Sequence, residues 1–435
     1  MSIRLFNKGI PLWTIHNFRR YYMFNLLSYL GSGISMVALP FYIYEQTLSP
    51  IYTSLVAASS STPYLLFGLF AGVLADNGNR KRIMIGCNLF CAAVLASVPA
   101  TALLMGYTSP LQLLVVSFLV ATAFVGMDSA SHGALLQLVG RQNLVAANSL
   151  LISSDTVIRI ASPVITGVII TTFGAERAIA VTASCYLIAA LLVWSIKQSL
   201  LVAQSTNVGG IKPKLFYKLR TDIGEGLSYI WSQPLIRSLT LIGFGNSFVG
   251  GMVTGLIVVF GAQVLGFADD APQLGVLITC GSLGALLASM SLPTLRRRFK
   301  PGRITIIGLA LNGVSLLGFS LSSQMTAVSL FYLFWNLSST LIIINGITLR
   351  QQLTPDHLQG RVHASSRMIA YGGSPFGSML GGMTAAGLGV QSAYMFMSIL
   401  MIILFVIALL TPLRSYIIHS DSKSQEALQN DHSSL

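Results

Sequence analysis

The chain alternates between long apolar runs and short polar turns over its whole length. A helix rises about 1.5 Å per residue, so roughly 20 apolar residues cross a hydrocarbon core about 30 Å thick. Membrane-spanning strands would instead need segments of about ten residues with alternating polarity. The runs in this chain are continuous and rich in Leu, Ile, Ala and Gly. The pattern therefore predicts an all-α membrane protein.

The apolar runs predict twelve transmembrane helices, divided by one long polar stretch at about residues 198–235. This stretch predicts an N-terminal six-helix bundle at residues 1–200, a cytoplasmic linker at 201–235, a C-terminal six-helix bundle at 236–413 and a cytoplasmic tail at 414–435. The predicted helices are 20–44, 53–75, 83–106, 111–138, 145–172, 178–197, 236–264, 272–293, 304–321, 325–352, 362–388 and 392–412.

The two halves of the chain are similar to each other. Residues 137–167 match residues 351–381 at a constant offset, and the matching residues include a Gln, a Leu and a Gly. The matched loops join helices four and five in one half and helices ten and eleven in the other. Repeated halves are typical of carriers whose site lies near the membrane midplane and opens to either side. We therefore expect two pseudo-symmetric bundles around a central site.

Charged residues are few and unevenly placed. They make up 9% of the chain, against about 25% in an ordinary soluble domain. Most Lys and Arg residues, Arg350 and Arg361 among them, fall on the side of the even-numbered loops, and such basic loops are cytoplasmic in membrane proteins. The distribution predicts a multi-pass membrane protein with both termini in the cytoplasm. The basic residues form no face interleaved with aromatic side chains, which argues against nucleic-acid binding.

The turn after the second predicted helix reads GVLADNGNRKR, from Gly72 to Arg82. It resembles the signature loop of the major facilitator superfamily, although Asn77 stands where that family usually has arginine. The resemblance implies the major facilitator fold of two pseudo-symmetric six-helix bundles. It also implies a cytoplasmic gate loop that latches one face closed, formed by Gly72, Asp76, Arg80, Lys81 and Arg82.

Other segments narrow the resemblance to one branch of that superfamily. The sequences FRRYY, LGSGISMVALPFYIYEQTLSP, LVAANS and LQGRV are similar to the branch that contains enterobactin exporters and macrolide efflux proteins. In the fifth predicted helix, Ser162, Pro163 and Gly167 occupy positions of the Gly-Pro-x-x-Gly-Gly motif of drug:proton antiporters. Ser162 and Thr166 replace two of its glycines. The resemblance implies an exporter of the antiporter type.

Inserting an ionisable side chain into a span costs roughly 2.5 to 3.5 kcal/mol of free energy, so each one present is expected to have a structural or functional role. Asp128 and His132 are four residues apart in the fourth helix, as are Asp155 and Arg159 in the fifth, and each pair shares a helix face. One hypothesis is that Asp128 or Asp155 exchanges the coupling proton, while Arg159 and His132 set its affinity. The alternative is a structural ion-pair network that joins the two helices. The spacing of polar residues in the fifth helix predicts one continuous polar stripe, formed by Asp155, Arg159, Ser162 and Thr166.

Polar and aromatic positions in other spans are candidates for a substrate cavity. Arg367 either extends to the cytoplasmic interface or binds an anionic substrate group. A mixed polar and aromatic wall is suited to an amphiphilic organic molecule, although ordinary packing also explains each residue singly. The cavity candidates are Asn25, Tyr29, Asn246, Trp335, Asn336, Arg367 and Tyr371.

The expected function is secondary active transport. No Walker loop is present, so the energy would come from an ion gradient. Together with the resemblance, these features predict a proton-coupled exporter of a siderophore or macrolide-like drug in the cell inner membrane. It is expected to function as a monomer, with no enzyme activity and no cofactor. The four cysteines fall in apolar runs, so we expect neither a disulfide framework nor a metal site. The alternatives are an importer of a metal complex or nutrient, and a non-transporting membrane sensor with the same fold.

Overall fold

The computed structural model describes residues 12–198, 215–266, 271–355 and 358–414. These residues form twelve long helices, which confirms the predicted fold class. The helices are α1 His16–Thr47, α2 Pro50–Asn77, α3 Arg80–Met105, α4 Pro110–Gly140, α5 Gln142–Phe173, α6 Ala175–Trp194, α7 Pro234–Gln263, α8 Ala271–Arg298, α9 Pro301–Leu321, α10 Met325–Leu353, α11 Gln359–Leu388 and α12 Val390–Leu410.

A shorter helix, Leu215–Ser232, lies within the segment predicted as a linker, and we call it the linker helix. It packs against α11, where Gly226 lies against the backbone of Arg361. Glu225 forms an ion pair with the Arg361 guanidinium, and the Tyr229 hydroxyl donates a hydrogen bond to the Leu353 carbonyl over 3.2 Å. The linker helix is therefore docked on the C-terminal bundle.

Glycines mark equivalent turns in the two halves. Gly174 joins α5 to α6 with φ 88° and ψ 158°, and Gly389 joins α11 to α12 with φ 85° and ψ 155°. This region of backbone space is essentially restricted to glycine. The same rare conformation at corresponding positions supports the internal repeat. Gly140, with φ 69°, ends α4, and a single residue lies between it and the start of α5, so the loop predicted there is shorter than expected.

Among the described residues, ten helices are long and apolar enough to cross a membrane by length and composition. The helices α2 and α11, of 28 and 30 residues, pack against each other across the two bundles. Leu65 on α2 contacts Gly372 on α11.

Each bundle has its own core. In the C-terminal bundle, Phe319 lies between Phe260 and Tyr394, with ring centroids 4.4 and 4.5 Å away. In the N-terminal bundle, buried Leu95 and Tyr186 belong to a cluster formed by α1 to α6. Two separate cores allow the bundles to behave as rigid bodies, because close-packed interiors resist deformation.

The bundles touch each other at one end of the molecule, where α1 ends and α2 begins. We call this the closed end. Ser54 on α2 donates a hydrogen bond to the Gly255 carbonyl on α7 over 3.2 Å. A Cβ atom at Gly382 would lie 2.8 Å from Cβ of Ser54, so α11 and α2 approach closely there. The opposite end, where α2 ends and the sequence Arg80 to Arg82 begins α3, is called the basic end.

The exposure of α5 changes along the face that it turns towards the other bundle. Ile152, Asp155, Arg159, Pro163, Thr166 and Ile170 recur every three or four residues and so share this face. Ile152 is 67% exposed, whereas Thr166 is fully buried. A second exposed face, which includes Val157 and Val168, runs along most of the helix and is suited to lipid. The inner face of α5 is therefore open near the basic end and closed from Pro163 onward.

Candidate functional site

A cavity of about 590 Å³ lies between the two bundles. Its N-terminal wall comes from α2 and α4, and its C-terminal wall comes mainly from α7, α10 and α11. The volume lies within the range of about 300 to 1,000 Å³ that is usual for small organic ligands. Six of the predicted residues are part of the wall, namely Asp128, Asn246, Trp335, Asn336, Arg367 and Tyr371.

Asn25 and Tyr29 are not part of the described cavity wall. Asn25 is 2% exposed, and its side chain donates a hydrogen bond to the Tyr21 carbonyl one turn earlier over 2.9 Å. Tyr29 is half-buried on the same helix. The sequence identified both as polar positions in a span, but it did not reveal the rotation of α1.

A buried hydrogen-bond chain forms part of the C-terminal wall. The Ser339 hydroxyl donates to Oδ1 of Asn246 over 3.3 Å, and the Asn312 amide donates to the Ser339 oxygen over 2.6 Å. This chain ties α7, α9 and α10 together beside the cavity. Trp335 stacks on Tyr332 with a centroid distance of 5.6 Å, while its indole Nε1 is buried without a hydrogen-bond partner. The wall therefore offers a flat aromatic surface.

Three basic residues from α10 and α11 line the same cavity, namely Arg350, His363 and Arg367. Arg350 is 8% exposed, and its Nε and Nη1 atoms have no hydrogen-bond partner. Arg367 is exposed and lies over the ring of Tyr371, with Cζ 5.7 Å from the ring centroid. From its position in the sequence, Arg350 was predicted only to be one of the charged residues of the cytoplasmic side.

A signal for Arg350 was present in the spacing of α10. Asn336, Ser339, Ile343, Gly346 and Arg350 follow at intervals of three and four residues, which places all of them on one helix face. All five line the cavity. Extending the polar face from Asn336 towards the end of the helix would have identified Arg350.

Asp128 supplies a carboxylate to the N-terminal wall. Its side chain is 32% exposed, and its oxygen Oδ1 lies 3.7 Å from Nδ1 of His132. The same nitrogen lies 2.8 Å from the Asp128 backbone carbonyl, so His132 caps a polar contact on its own helix. Asp128 is also within electrostatic range of Arg367, Asp155 and Arg159. The cavity therefore brings an acidic residue of one bundle near a basic residue of the other.

Asp155 and Arg159 form an ion pair on α5, with Nε and Oδ2 2.8 Å apart. Neither belongs to the described cavity wall, and both lie on the inner face of α5 that is open near the basic end. The Arg159 carbonyl accepts a hydrogen bond from Ser282 on α8 over 3.2 Å, so this segment lies at the junction of the bundles.

The predicted polar stripe is exposed only as far as Arg159. Ser162 is buried against Gly33 on α1, and the Thr166 hydroxyl donates to the Ser162 carbonyl over 2.6 Å. The antiporter-like motif therefore has a packing environment. A Cβ atom at Gly275 on α8 would lie 2.5 Å from the Pro163 carbonyl oxygen, which makes Pro163 a point of contact between the bundles. Gly167 is also buried.

The described part of the gate loop contacts its own bundle. Arg80 donates to the Gly133 carbonyl over 2.8 Å, and Lys81 donates to the Ile196 carbonyl over 2.6 Å. The backbone nitrogen of Arg82 donates to Oδ1 of the capping residue Asn79 over 3.2 Å. The predicted roles of Gly72 and Asp76 lie outside the part of the chain whose side chains are described. In the C-terminal bundle, the Arg296 guanidinium donates a hydrogen bond to Oε1 of Gln352 over 2.8 Å.

Comparison with known proteins agrees with this architecture. The chain is 24% identical to the multidrug efflux pump Tap of Mycolicibacterium fortuitum over 392 residues, covering 88% of this chain and 92% of that protein. It is 23% identical to the enterobactin exporter EntS of Salmonella choleraesuis strain SC-B67 over 386 residues, covering 86% and 87%. These relatives are transporters and not enzymes.

The fold is also shared with a solved transporter. A bacterial homologue of the human lysosomal transporter Spinster, in its inward-facing and occupied conformation, superimposes with a TM-score of 0.72 at 14% identity, covering 95% of this chain and 100% of that one. The model of the family described as transmembrane secretion effector matches residues 10–433. The chain therefore belongs to the transmembrane secretion effector family of the major facilitator superfamily, and it is a multi-pass membrane transporter.

Proposed function

We propose that this transporter is a proton-coupled exporter of small amphiphilic organic molecules. The observation that carries the proposal is the cavity between the bundles, with a carboxylate on one wall and aromatic and basic side chains on the other. The contacts at the closed end and the open inner face of α5 correspond to a carrier that is open on one side only.

The basic end faces the cytoplasm in this proposal, because Lys and Arg accumulate in cytoplasmic loops. The bundles at residues 1–200 and 236–413 rock against each other across the inner membrane, so that the closed end opens as the basic end closes. One chain provides both bundles and the whole cavity, which supports function as a monomer. The gate-loop contacts within one bundle fit a basic end that is open.

Asp128 is the proposed proton carrier. It lines the cavity and has a side chain that water reaches. When ionised, its charge is balanced in part by Arg367 on the other bundle. Protonation removes that attraction, so the proton affects how strongly the two walls are drawn together. The charges of Asp155 and Arg159 on α5 also change the electrostatic potential at Asp128.

Export of a drug or siderophore is favoured by the relatives, which are named an efflux pump and an enterobactin exporter. Export uses a cavity that loads from the cytoplasm, and the exposed Arg159 and buried Thr166 fit loading from the basic end. The experiment below distinguishes export from two alternatives. These are import of a nutrient and a sensor role without transport.

The test uses inside-out membrane vesicles in which ATP hydrolysis acidifies the interior. Three dyes are added in turn, the cation ethidium, the neutral N-phenyl-1-naphthylamine and the anion 8-anilinonaphthalene-1-sulfonate. The proposal expects gradient-dependent uptake of at least one dye, and a loss of at least about tenfold in Asp128→Asn, which corresponds to 1.4 kcal/mol. Glu176→Gln, which neutralises a carboxylate at the closed end, should retain uptake.

Each competing outcome has a distinct result. Dye uptake by right-side-out vesicles alone would indicate import. No difference from vesicles that lack the protein, with any of the three dyes, would contradict transport of this substrate class. Full gradient-dependent uptake in Asp128→Asn would remove Asp128 from the coupling step.

A further inference from the structure

Arg350 is a buried cation without a partner. It is 8% exposed, its Nε and Nη1 atoms are unpaired, and its side chain reaches the cavity beside Gly243 on α7. A buried charge is strongly unfavourable unless it is paired and hydrogen-bonded. The guanidinium therefore requires an anion that the surrounding protein does not supply.

The C-terminal bundle offers no acidic partner within its helices. The segments α7 to α12, as described above, contain no aspartate and no glutamate. His363 and Arg367, which line the same part of the cavity, carry positive or neutral side chains. The nearest described carboxylate of the cavity wall is that of Asp128 on the opposite bundle, which already lies beside His132. The basic side of the cavity is therefore short of negative charge.

The unpaired buried atoms of the described wall are all hydrogen-bond donors. They are Nε and Nη1 of Arg350 and Nε1 of Trp335. A ligand that pairs with the Arg350 guanidinium must present hydrogen-bond acceptors. Arginine is suited to this role, because its planar guanidinium binds carboxylate, sulfonate or phosphate oxygens with two parallel hydrogen bonds.

The positions of these donors also indicate the shape of the ligand. Trp335 and Arg350 are 15 residues apart on one helix face, which corresponds to about 22 Å at 1.5 Å per residue. The Trp335 ring, stacked on Tyr332, provides an aromatic surface at one end. Arg350 and Arg367 provide charge at the other end, near the basic end of the molecule.

We propose that Arg350 and Arg367 form an anion-binding lobe that takes the acidic group of an amphiphilic substrate, while its apolar part lies towards Trp335. The inference rests on the proposed transport function and narrows its substrate class to organic acids. The lobe discriminates by charge: an amphiphile of the same shape without the acidic group leaves the guanidinium unpaired.

The test measures binding with a matched pair of probes. The anion 8-anilinonaphthalene-1-sulfonate and the neutral N-phenyl-1-naphthylamine share the same aromatic system and differ in the sulfonate. The full-length protein, with Trp13, Trp194 and Trp231 replaced by phenylalanine, keeps Trp335 as the energy donor to either dye. It is reconstituted in nanodiscs of phosphatidylcholine, and energy transfer from Trp335 reports occupancy of the cavity.

We expect the sulfonate dye to bind at least about tenfold more tightly than the neutral dye. Arg350→Gln should remove this preference and leave the affinity for the neutral dye unchanged, while Arg350→Lys retains part of it. Arg367→Gln, at an exposed position, should reduce the preference without affecting folding. Arg296→Gln, which removes a basic residue outside the cavity wall, should have no effect.

Equal affinity for the two dyes in the unsubstituted protein would overturn the proposal. An equal loss of affinity for both dyes in Arg350→Gln and in Arg367→Gln would also overturn it. A lipid phosphate has the same chemistry, so a second set of discs contains phosphatidylglycerol. If this lipid weakens binding of the sulfonate dye to the unsubstituted protein and not to Arg350→Gln, the lobe holds a lipid headgroup and the substrate assignment is overturned.

The binding test and the transport test fail separately. Gradient-driven uptake of ethidium combined with equal binding of the two dyes would contradict the anion lobe and leave the exporter proposal standing. A tenfold preference for the sulfonate dye without uptake of any dye would contradict the exporter proposal alone.

Discussion

Thr279 on α8 donates a hydrogen bond to the Ile160 carbonyl on α5, with Oγ1 and O 2.9 Å apart. This bond crosses from one six-helix bundle to the other. One turn closer to the closed end, Gly275 faces the Pro163 carbonyl at a distance that leaves no room for a side chain. The α5 and α8 helices therefore form a tight seal on one side of the cavity.

Replacing Gly275 with leucine should shift the protein away from the observed conformation. Overpacking costs about 1 to 3 kcal/mol, and this cost falls only on the state in which α8 touches α5. In a variant without native cysteines, a cysteine at Ser129 in the cavity wall is labelled with a charged maleimide from the basic end. We expect labelling of Gly275→Leu to be slower by about fivefold or more.

Gly86 provides the matched control for this substitution. A Cβ atom there has no atom within 4 Å, so Gly86→Leu should leave the labelling rate unchanged. Equal rates for the two leucine variants would indicate that the contact between α5 and α8 does not control access to the cavity.

The linker helix permits a second paired test. Gly226 is buried, and a Cβ atom there would lie 2.6 Å from the Arg361 carbonyl oxygen, whereas Gly224 is exposed with no atom within 4 Å. Valine has the same intrinsic helix propensity at both positions. We expect Gly226→Val to destabilise the docked helix by about 1 to 3 kcal/mol and Gly224→Val to have little effect.

Limited proteolysis of the reconstituted protein measures this difference. Cleavage between residues 215 and 232 should be faster in Gly226→Val than in Gly224→Val. Identical cleavage rates would show that the linker helix is not held by its contact with α11.

The ion pair of Asp155 and Arg159 separates a structural role from a transport role. Arg159 is 71% exposed, and exposed pairs of this spacing contribute only about 0.3 to 0.5 kcal/mol to stability. Asp155→Asn and Arg159→Gln should therefore change the unfolding free energy by less than about 1 kcal/mol. Because both charges act on Asp128, gradient-driven dye uptake should fall by at least about tenfold.

Glu176→Gln and Arg177→Gln are the controls, since they neutralise adjacent charges at the closed end. A large loss of stability in Asp155→Asn with normal uptake per folded molecule would favour the structural network over the transport role.

The helices were predictable from the sequence because a hydrocarbon core imposes both length and composition on a span. The bounds were less predictable where glycine set them. The sixth helix begins at Ala175 and not at 178, because Gly174 provides the turn immediately before it. The linker helix was not predicted, because its apolar positions alternate with charges and are too few to form a span.

The cavity was only partly predictable, because its wall depends on how each helix is rotated. Asn246 and Trp335 line the cavity, whereas Asn25 is buried and bonds to its own helix. Arg350 was missed because a basic residue near a helix end is expected to lie in the cytoplasmic loop. Its burial follows from the packing of α10 against α7, which no single segment of sequence reveals.

In the proposed transport cycle, the two bundles separate at the closed end. Ser54→Cys and Gly255→Cys, introduced together into a protein without its native cysteines, place two thiols at the close approach of α2 and α7, where a Cβ atom at Gly255 would lie 3.3 Å from Cβ of Ser54. Oxidation should form a cross-link that stops dye uptake by inside-out vesicles, and a reductant should restore it. Undiminished uptake by fully cross-linked protein would contradict the account.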